Sequence, residues 1–181
     1  FVQILQVHNF QFSALCFQEC RITDTYDTSL IQIPGYICIT QGKSASTKGG
    51  LITYLYEKYS YKTKSLATNK DIWESQFIEI SGDNLKHNII LGNIYRPPRN
   101  LVENIRAFID DFTKVLINLD ELNKEIVLAG DFNINLLHIY KKEIFLDFFN
   151  ILTMHSFFPK ITLPTRLCET CGTLIDNIFV N

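Results

Sequence analysis

Asp131 and Asn133 close the short apolar run Ile126-Val127-Leu128-Ala129-Gly130, so a carboxylate and an amide stand two residues apart at its end. A bounded run of this length reads as a buried strand rather than a helix. If the chain stays extended past Gly130, the two side chains share a face, because side chains alternate along a strand. Strand ends are where layered α/β proteins bind ligands. Read locally, the pair equally describes a polar cap that turns the backbone. Other polar side chains fall in similar places. Glu19 ends the run that starts at Phe12, and Tyr95 ends the run Asn88-Ile89-Ile90-Leu91-Gly92-Asn93-Ile94. Arg96-Pro97-Pro98 follows Tyr95, and a proline pair stops a central strand. Asp176 lies in the apolar stretch Leu174 to Val180, where a buried carboxylate is costly without a partner. Thr165, in Pro164-Thr165-Arg166, joins the set from the last third.

Carboxylates with an amide and a phenol suit a hard, oxygen-preferring cation such as Mg²⁺. They also suit phosphate chemistry, in which a metal neutralises the phosphate, an acid orients or deprotonates water, and neutral donors hold the oxygens. No Walker loop or G-x-G-x-x-G occurs, so a glycine-rich nucleotide loop is not expected.

The elements that must position these residues are mostly strands. Tyr36-Ile37-Cys38-Ile39-Thr40 and Leu51-Ile52-Thr53-Tyr54-Leu55-Tyr56 are short β-rich runs. Residues 72 to 95 read as a hairpin turning at Ser81-Gly82-Asp83-Asn84. Between Leu101 and Leu119, Val102, Ile105, Phe108, Ile109, Phe112, Val115, Leu116 and Leu119 recur at helical spacing, with Asp110 and Asp111 on the wet side. Lys142 to Met154 is a second helix, Phe157 to Leu163 a short strand, and Phe1 to Phe10 the tail of a helix. Lys58, Lys62 and Lys64 interleave with Tyr59 and Tyr61, which reads as a solvated strand face or a phosphate-facing surface.

With 181 residues, 46% apolar and 13% aromatic, the chain is a folded domain of ordinary size. A net charge of −2 gives no bulk positive field for nucleic acid, although a local patch can suffice. No apolar run approaches the ~20 residues of a membrane span. The start, Phe1-Val2-Gln3-Ile4-Leu5, has no methionine or cleavage signature, so no signal peptide is expected and the chain reads as cut from something longer. Five cysteines, an odd number, suggest reduced thiols. The lone Cys168-x-x-Cys171 reads as a loop or, less naturally, as half of a zinc site.

Gly92-Asn93-Ile94-Tyr95-Arg96-Pro97-Pro98, Leu128-Ala129-Gly130-Asp131-Phe132-Asn133, Pro164-Thr165-Arg166 and Ile175-Asp176, in that order and spacing, resemble the endonuclease/exonuclease/phosphatase (DNase I-like) superfamily. The likeness is closest to the apurinic-type endonuclease domain of non-LTR, jockey-like retrotransposons. Phe17-Gln18-Glu19-Cys20 stands where that family has its metal-binding glutamate, and Lys48-Gly49-Gly50 before a strand also fits.

The resemblance implies an α/β (α+β) four-layer sandwich, two packed mixed β-sheets flanked by helices, as one domain over residues 1–181 that lacks its first and last strands. It implies a DNA endonuclease that hydrolyses phosphodiester bonds with Mg²⁺ or Mn²⁺. In that family Glu19 would hold the metal and Asp131 would orient or activate water. Asn133 would bind the phosphate or help position that water, and Tyr95 would donate to the phosphate. Thr165 and Arg96 would contact substrate, and Asp176 would orient a catalytic histidine. DNA is the implied partner, together with a reverse transcriptase domain in the parent polyprotein. The implied location is intracellular, nuclear when acting on DNA, with no membrane. The family's Ser-Asp-His does not occur here; His8, His87, His138 and His155 stand in other contexts. Losing one such stabilising contact costs on the order of a hundredfold in rate. Two other readings use the same residues: a phosphatase of the same superfamily, and a degenerate or co-opted copy that binds nucleic acid or protein without cutting.

Overall fold

The computed structural model describes residues 11–23, 25–42, 49–167 and 171–181. The helix tail expected over Phe1 to Phe10, with His8, and the expectations resting on Lys48 and Cys168 lie outside them. The strands are β1 (Ala14–Phe17), β2 (Tyr36–Gln41), β3 (Leu51–Tyr56), β4 (Ser60–Lys64), β5 (Glu74–Ser81), β6 (Ile89–Tyr95), β7 (Glu125–Asp131), β8 (Phe158–Pro159), β9 (Arg166–Leu167), β10 (Gly172–Thr173) and β11 (Asp176–Val180). The helices are α1 (Val102–Asp120) and α2 (Glu143–Met154).

Two sheets pack face to face. One is antiparallel in the order β1-β3-β2; the other is mixed, in the order β4-β5-β6-β7-β11-β8. β9 and β10 form a separate small hairpin. β6 and β7 pair in parallel, which requires a crossover, and α1 supplies it. The α/β sandwich expected from the sequence is present.

α1 buries Ile105, Phe108, Ile109, Phe112, Val115, Leu116 and Leu119 of the stripe read from the spacing, whereas Val102, in its first turn, is exposed. α2 adds Ile144, Phe145, Phe148 and Leu152. Both helices cover the outer face of the six-stranded sheet in one core with Trp73, Phe77, Phe132 and Phe179. The expectation that Asp111 faces water holds only in part. Its Oδ2 accepts from Trp73 Nε1 and from the Asn69 backbone N–H, each at 2.8 Å. A buried indole needs such an acceptor. The strand expected over Phe157 to Leu163 is reduced to two residues, β8; Lys160 N–H still donates to Ile178 O at 2.8 Å, and beyond it the Ile161 backbone bonds the Asn177 side chain in place of the β11 backbone.

Lys64 is committed to the outer face, where with Lys124 and Asn88 it surrounds Glu79. These three donors hold the Glu79 carboxyl down at about 2 from its ordinary 4.5. A depressed carboxylate contributes stability that is present above its unfolded value and is lost as pH falls through its folded one. Glu79→Gln should therefore lower the melting temperature at pH 7, and the gap to the parent should close as pH approaches 2.

Cys16, Cys20 and Cys38 are free thiols. Burial raises Cys16 to about 12 and Cys20 to about 11, so both stay protonated. Cys171 is disulfide-bonded, which corrects the expectation of reduced thiols at that position.

Candidate active site at the strand ends

Register places three of the expected side chains in a row. Tyr95, the last residue of β6, lies beside Asp131, the last of β7, and Asp131 opposes Asp176, the first of β11. Directly opposed residues in adjacent strands lie roughly 5 Å apart at Cα. Glu19 reaches the same end from the other sheet, where the Tyr95 hydroxyl donates to its Oε1. Thr165 stands at the edge of the row, accepting from the Asp176 backbone N–H at 3.3 Å. Glu19, Tyr95, Asp131, Asn133, Thr165 and Asp176 are thus brought to one place.

The Asp131–Asn133 pair is built differently from the alternation argument. β7 ends at Asp131, and Asn133 takes a left-handed φ of 49°. The Asn133 backbone N–H donates to Asp131 Oδ1 at 2.8 Å and its Nδ2 donates to Oδ2 at 3.0 Å. The polar turn and the convergence of acid and amide are therefore one feature, since Asp and Asn readily bond backbone two residues away.

Arg96 stands in an unexpected place. It is 1% exposed. Its Nε donates to Phe132 O at 2.7 Å, Nη2 to Asn133 O at 2.7 Å and Nη1 to Arg99 O at 3.1 Å. Asn133 Nδ2 returns a bond to Arg96 O at 2.8 Å. The guanidinium lies 5.9 Å from the Phe108 ring centroid, and burial lowers its pKa to about 10. It braces the turn that carries Asn133; its geometry is that of a clamp.

Beneath the row runs a polar seam that the sequence reading passed over. Buried Asn93 accepts from Gln18 Nε2 at 2.7 Å and donates to Ile52 O and Thr53 Oγ1, each at 3.1 Å, and to Phe17 O at 3.3 Å. Thr53 Oγ1 donates to Gln76 Oε1 at 2.6 Å. The seam ties β1 and β3 to β5 and β6 just below Glu19. An asparagine inside an otherwise apolar strand was the available signal.

The site's electrostatics are those of two half-buried carboxylates, Asp131 and Asp176, beside the exposed Glu19. Burial first, then Asp176 and Glu19, raise Asp131 from 3.8 to about 6; the Asn133 N–H and Arg96 oppose the rise. Burial and the bond to Glu19 raise Tyr95 well above the ordinary phenol value, so it keeps its proton. In metal-free protein, the Asp131 carboxyl followed by ¹³C NMR should titrate near pH 6, and Asp176→Asn should lower that midpoint. Because the folded value lies above the unfolded one, this group opposes folding above pH 6, and the penalty fades as pH falls to 3.8.

Among the described residues no three His, Cys, Asp or Glu side chains form a closed cage for a metal. Mg²⁺ needs none: it keeps several waters and binds through one or two carboxylates plus phosphate oxygens. Glu19 and Asp176, each acting on Asp131 as a like charge, leave a negative site that fits such a cation. Of the histidines, His155 Nδ1 pairs with Asp120 at 2.5 Å and His138 Nδ1 with Asn135 at 3.2 Å. His87 lines a cavity with Lys124 and Asn181, where β6 begins and so opposite Tyr95.

No family model matches the sequence. The fold does match solved structures. A 3′ phosphatase, NExo, from Neisseria, bound to product DNA hairpin, superposes with a TM-score of 0.67 at 17% identity, over 99% of this chain and 79% of that one. The endonuclease domain of TRAS1, a telomere-specific non-LTR retrotransposon, gives 0.69 at 11% identity, over 98% and 75%. The catalytic domain of APE2 from Xenopus laevis gives 0.68 at 14%, over 97% and 76%. The chain has the fold these proteins share, that of the endonuclease/exonuclease/phosphatase proteins.

Proposed function

We propose that this chain is a metal-dependent DNA endonuclease of the non-LTR retrotransposon type. The observation that carries the reading is the row Tyr95–Asp131–Asp176 across three adjacent strands, with Glu19 bonded to Tyr95 and Asn133 to Asp131. Glu19 holds Mg²⁺ or Mn²⁺, which when bound supplies positive charge beside the scissile phosphate. Asp131 orients the attacking water and takes its proton, a task suited to a carboxyl raised toward neutrality. Asn133 fixes the Asp131 carboxylate and presents its remaining amide oxygen to the water. Tyr95, protonated throughout the working range, turns its single O–H from Glu19 to a phosphate oxygen when substrate is bound. Asp176 adds negative charge beside Asp131; the histidine that it would orient in the resembled family does not occur in this sequence as Ser-Asp-His. Thr165 lies beside the DNA, and Arg96 supports the site from behind. In this reading a reverse transcriptase domain accompanies the chain in its polyprotein, and its target places it in the nucleus.

The same fold in a 3′ phosphatase keeps a phosphomonoesterase as the second reading. A duplex oligonucleotide carrying one 3′-phosphate and a labelled backbone separates them. Endonuclease action yields internal cuts that require Mg²⁺ or Mn²⁺. Release of inorganic phosphate from an intact backbone would overturn the endonuclease reading in favour of the phosphatase.

A further inference from the structure

Glu19 and Arg21 both sit in the left-handed region, at φ 54° and 52°, where a residue with a Cβ is strained unless its surroundings hold it. What holds them is a turn of two glycines. Cys20 N–H donates to Gly50 O at 3.0 Å and Arg21 N–H to Gly49 O at 2.6 Å. The turn depends on glycine, with φ of 96° and 92°, and a Cβ on Gly49 would stand 2.1 Å from Glu74 Oε1. Glu74 is 8% exposed, and its Oε2 accepts from the Gly50 N–H at 2.7 Å. It also opposes Tyr95 across β5 and β6, so its strand sets the hydroxyl that meets Glu19.

We propose that Glu74 is a positioning residue for the metal site: its carboxylate fixes the Gly49–Gly50 turn, whose carbonyls fix the Glu19–Arg21 segment and so aim the Glu19 carboxylate. The proposal rests on the reading of Glu19 as the metal ligand. In this role the Glu74 carboxylate holds the turn and not the metal. Its effect passes through two backbone hydrogen bonds, and residues that orient a metal ligand in this way typically change affinity by about ten- to a hundredfold when altered.

Mn²⁺ binding measured by calorimetry on the folded chain tests this, with melting curves run on every variant. Glu74→Gln keeps the length and an acceptor oxygen for the Gly50 N–H, and should bind Mn²⁺ within about threefold of the parent, well inside the range of such effects. Glu74→Asp keeps the charge but withdraws the carboxylate by one methylene, and should weaken binding about tenfold. A role through charge alone predicts the reverse order. Parent-like affinity in Glu74→Asp, or equal weakening in Glu74→Gln, overturns the proposal. Glu19→Gln separates the metal ligand from the turn that supports it. Unchanged Mn²⁺ affinity in that variant removes the metal reading of Glu19 itself, whereas Glu19-dependent binding that ignores Glu74→Asp removes only the positioning role.

Discussion

Asp131→Ala should lower the single-turnover rate of metal-dependent DNA cleavage by about a thousandfold, the middle of the range for a positioned general base. In the proposed reading Asp131 activates the water, and it sits between Tyr95 and Asp176 on the neighbouring strands. It is also oriented by two bonds from one residue, Asn133. Asp131→Asn retains an acceptor for the Asn133 N–H, and should lose nearly as much rate, because the missing element is the base and not the shape. Both variants should fold, since they remove a charge that burial and two neighbouring carboxylates already disfavour. A loss under tenfold in either variant would place the base elsewhere.

Arg96→Ala should destabilise the protein by about 3–5 kcal/mol in urea unfolding, the scale of several buried acceptors left unpaired together with a cavity. The substitution strips donors from the carbonyls of Phe132, Asn133 and Arg99 at once. Arg96→Lys keeps a charge but cannot reproduce a planar fork onto two successive carbonyls, so it should recover less than half of that loss. A guanidinium that merely reached for substrate would leave stability untouched, and a change below about 1 kcal/mol would fit that role instead. Because the same carbonyls belong to the turn after Asp131, cleavage should fall with stability in Arg96→Ala.

The longer strands and α1 are legible from their apolar runs, and the stripe from Ile105 to Leu119 is buried as spaced; the two-residue strands β8, β9 and β10 carry too little pattern to place. The site's members were legible as polar residues ending apolar runs, and β-sheet register then aligned three of them. What sequence could not supply was direction. Arg96 next to two prolines looks like an exposed loop charge, yet the chain folds it inward onto carbonyls that come from 36 and 37 residues away. Asn133 meets Asp131 through a left-handed turn, which strand alternation does not anticipate. Glu74 opens β5 and Asn93 lies within β6, and the approach of the second sheet gives them partners. Asp111, on the nominally wet face of α1, is claimed by Trp73.

The proposed activity is that residues of this chain, with a divalent cation, cut DNA. Supercoiled plasmid incubated with the purified, folded chain tests it most directly, in Mg²⁺ or Mn²⁺ and again with chelator. Open-circular plasmid that accumulates with the cation and not with the chelator is the expected result. The rate should be modest, since the sequence carries no Ser-Asp-His. Plasmid that stays supercoiled in both cations, with protein whose melting curve shows it folded, would contradict the account.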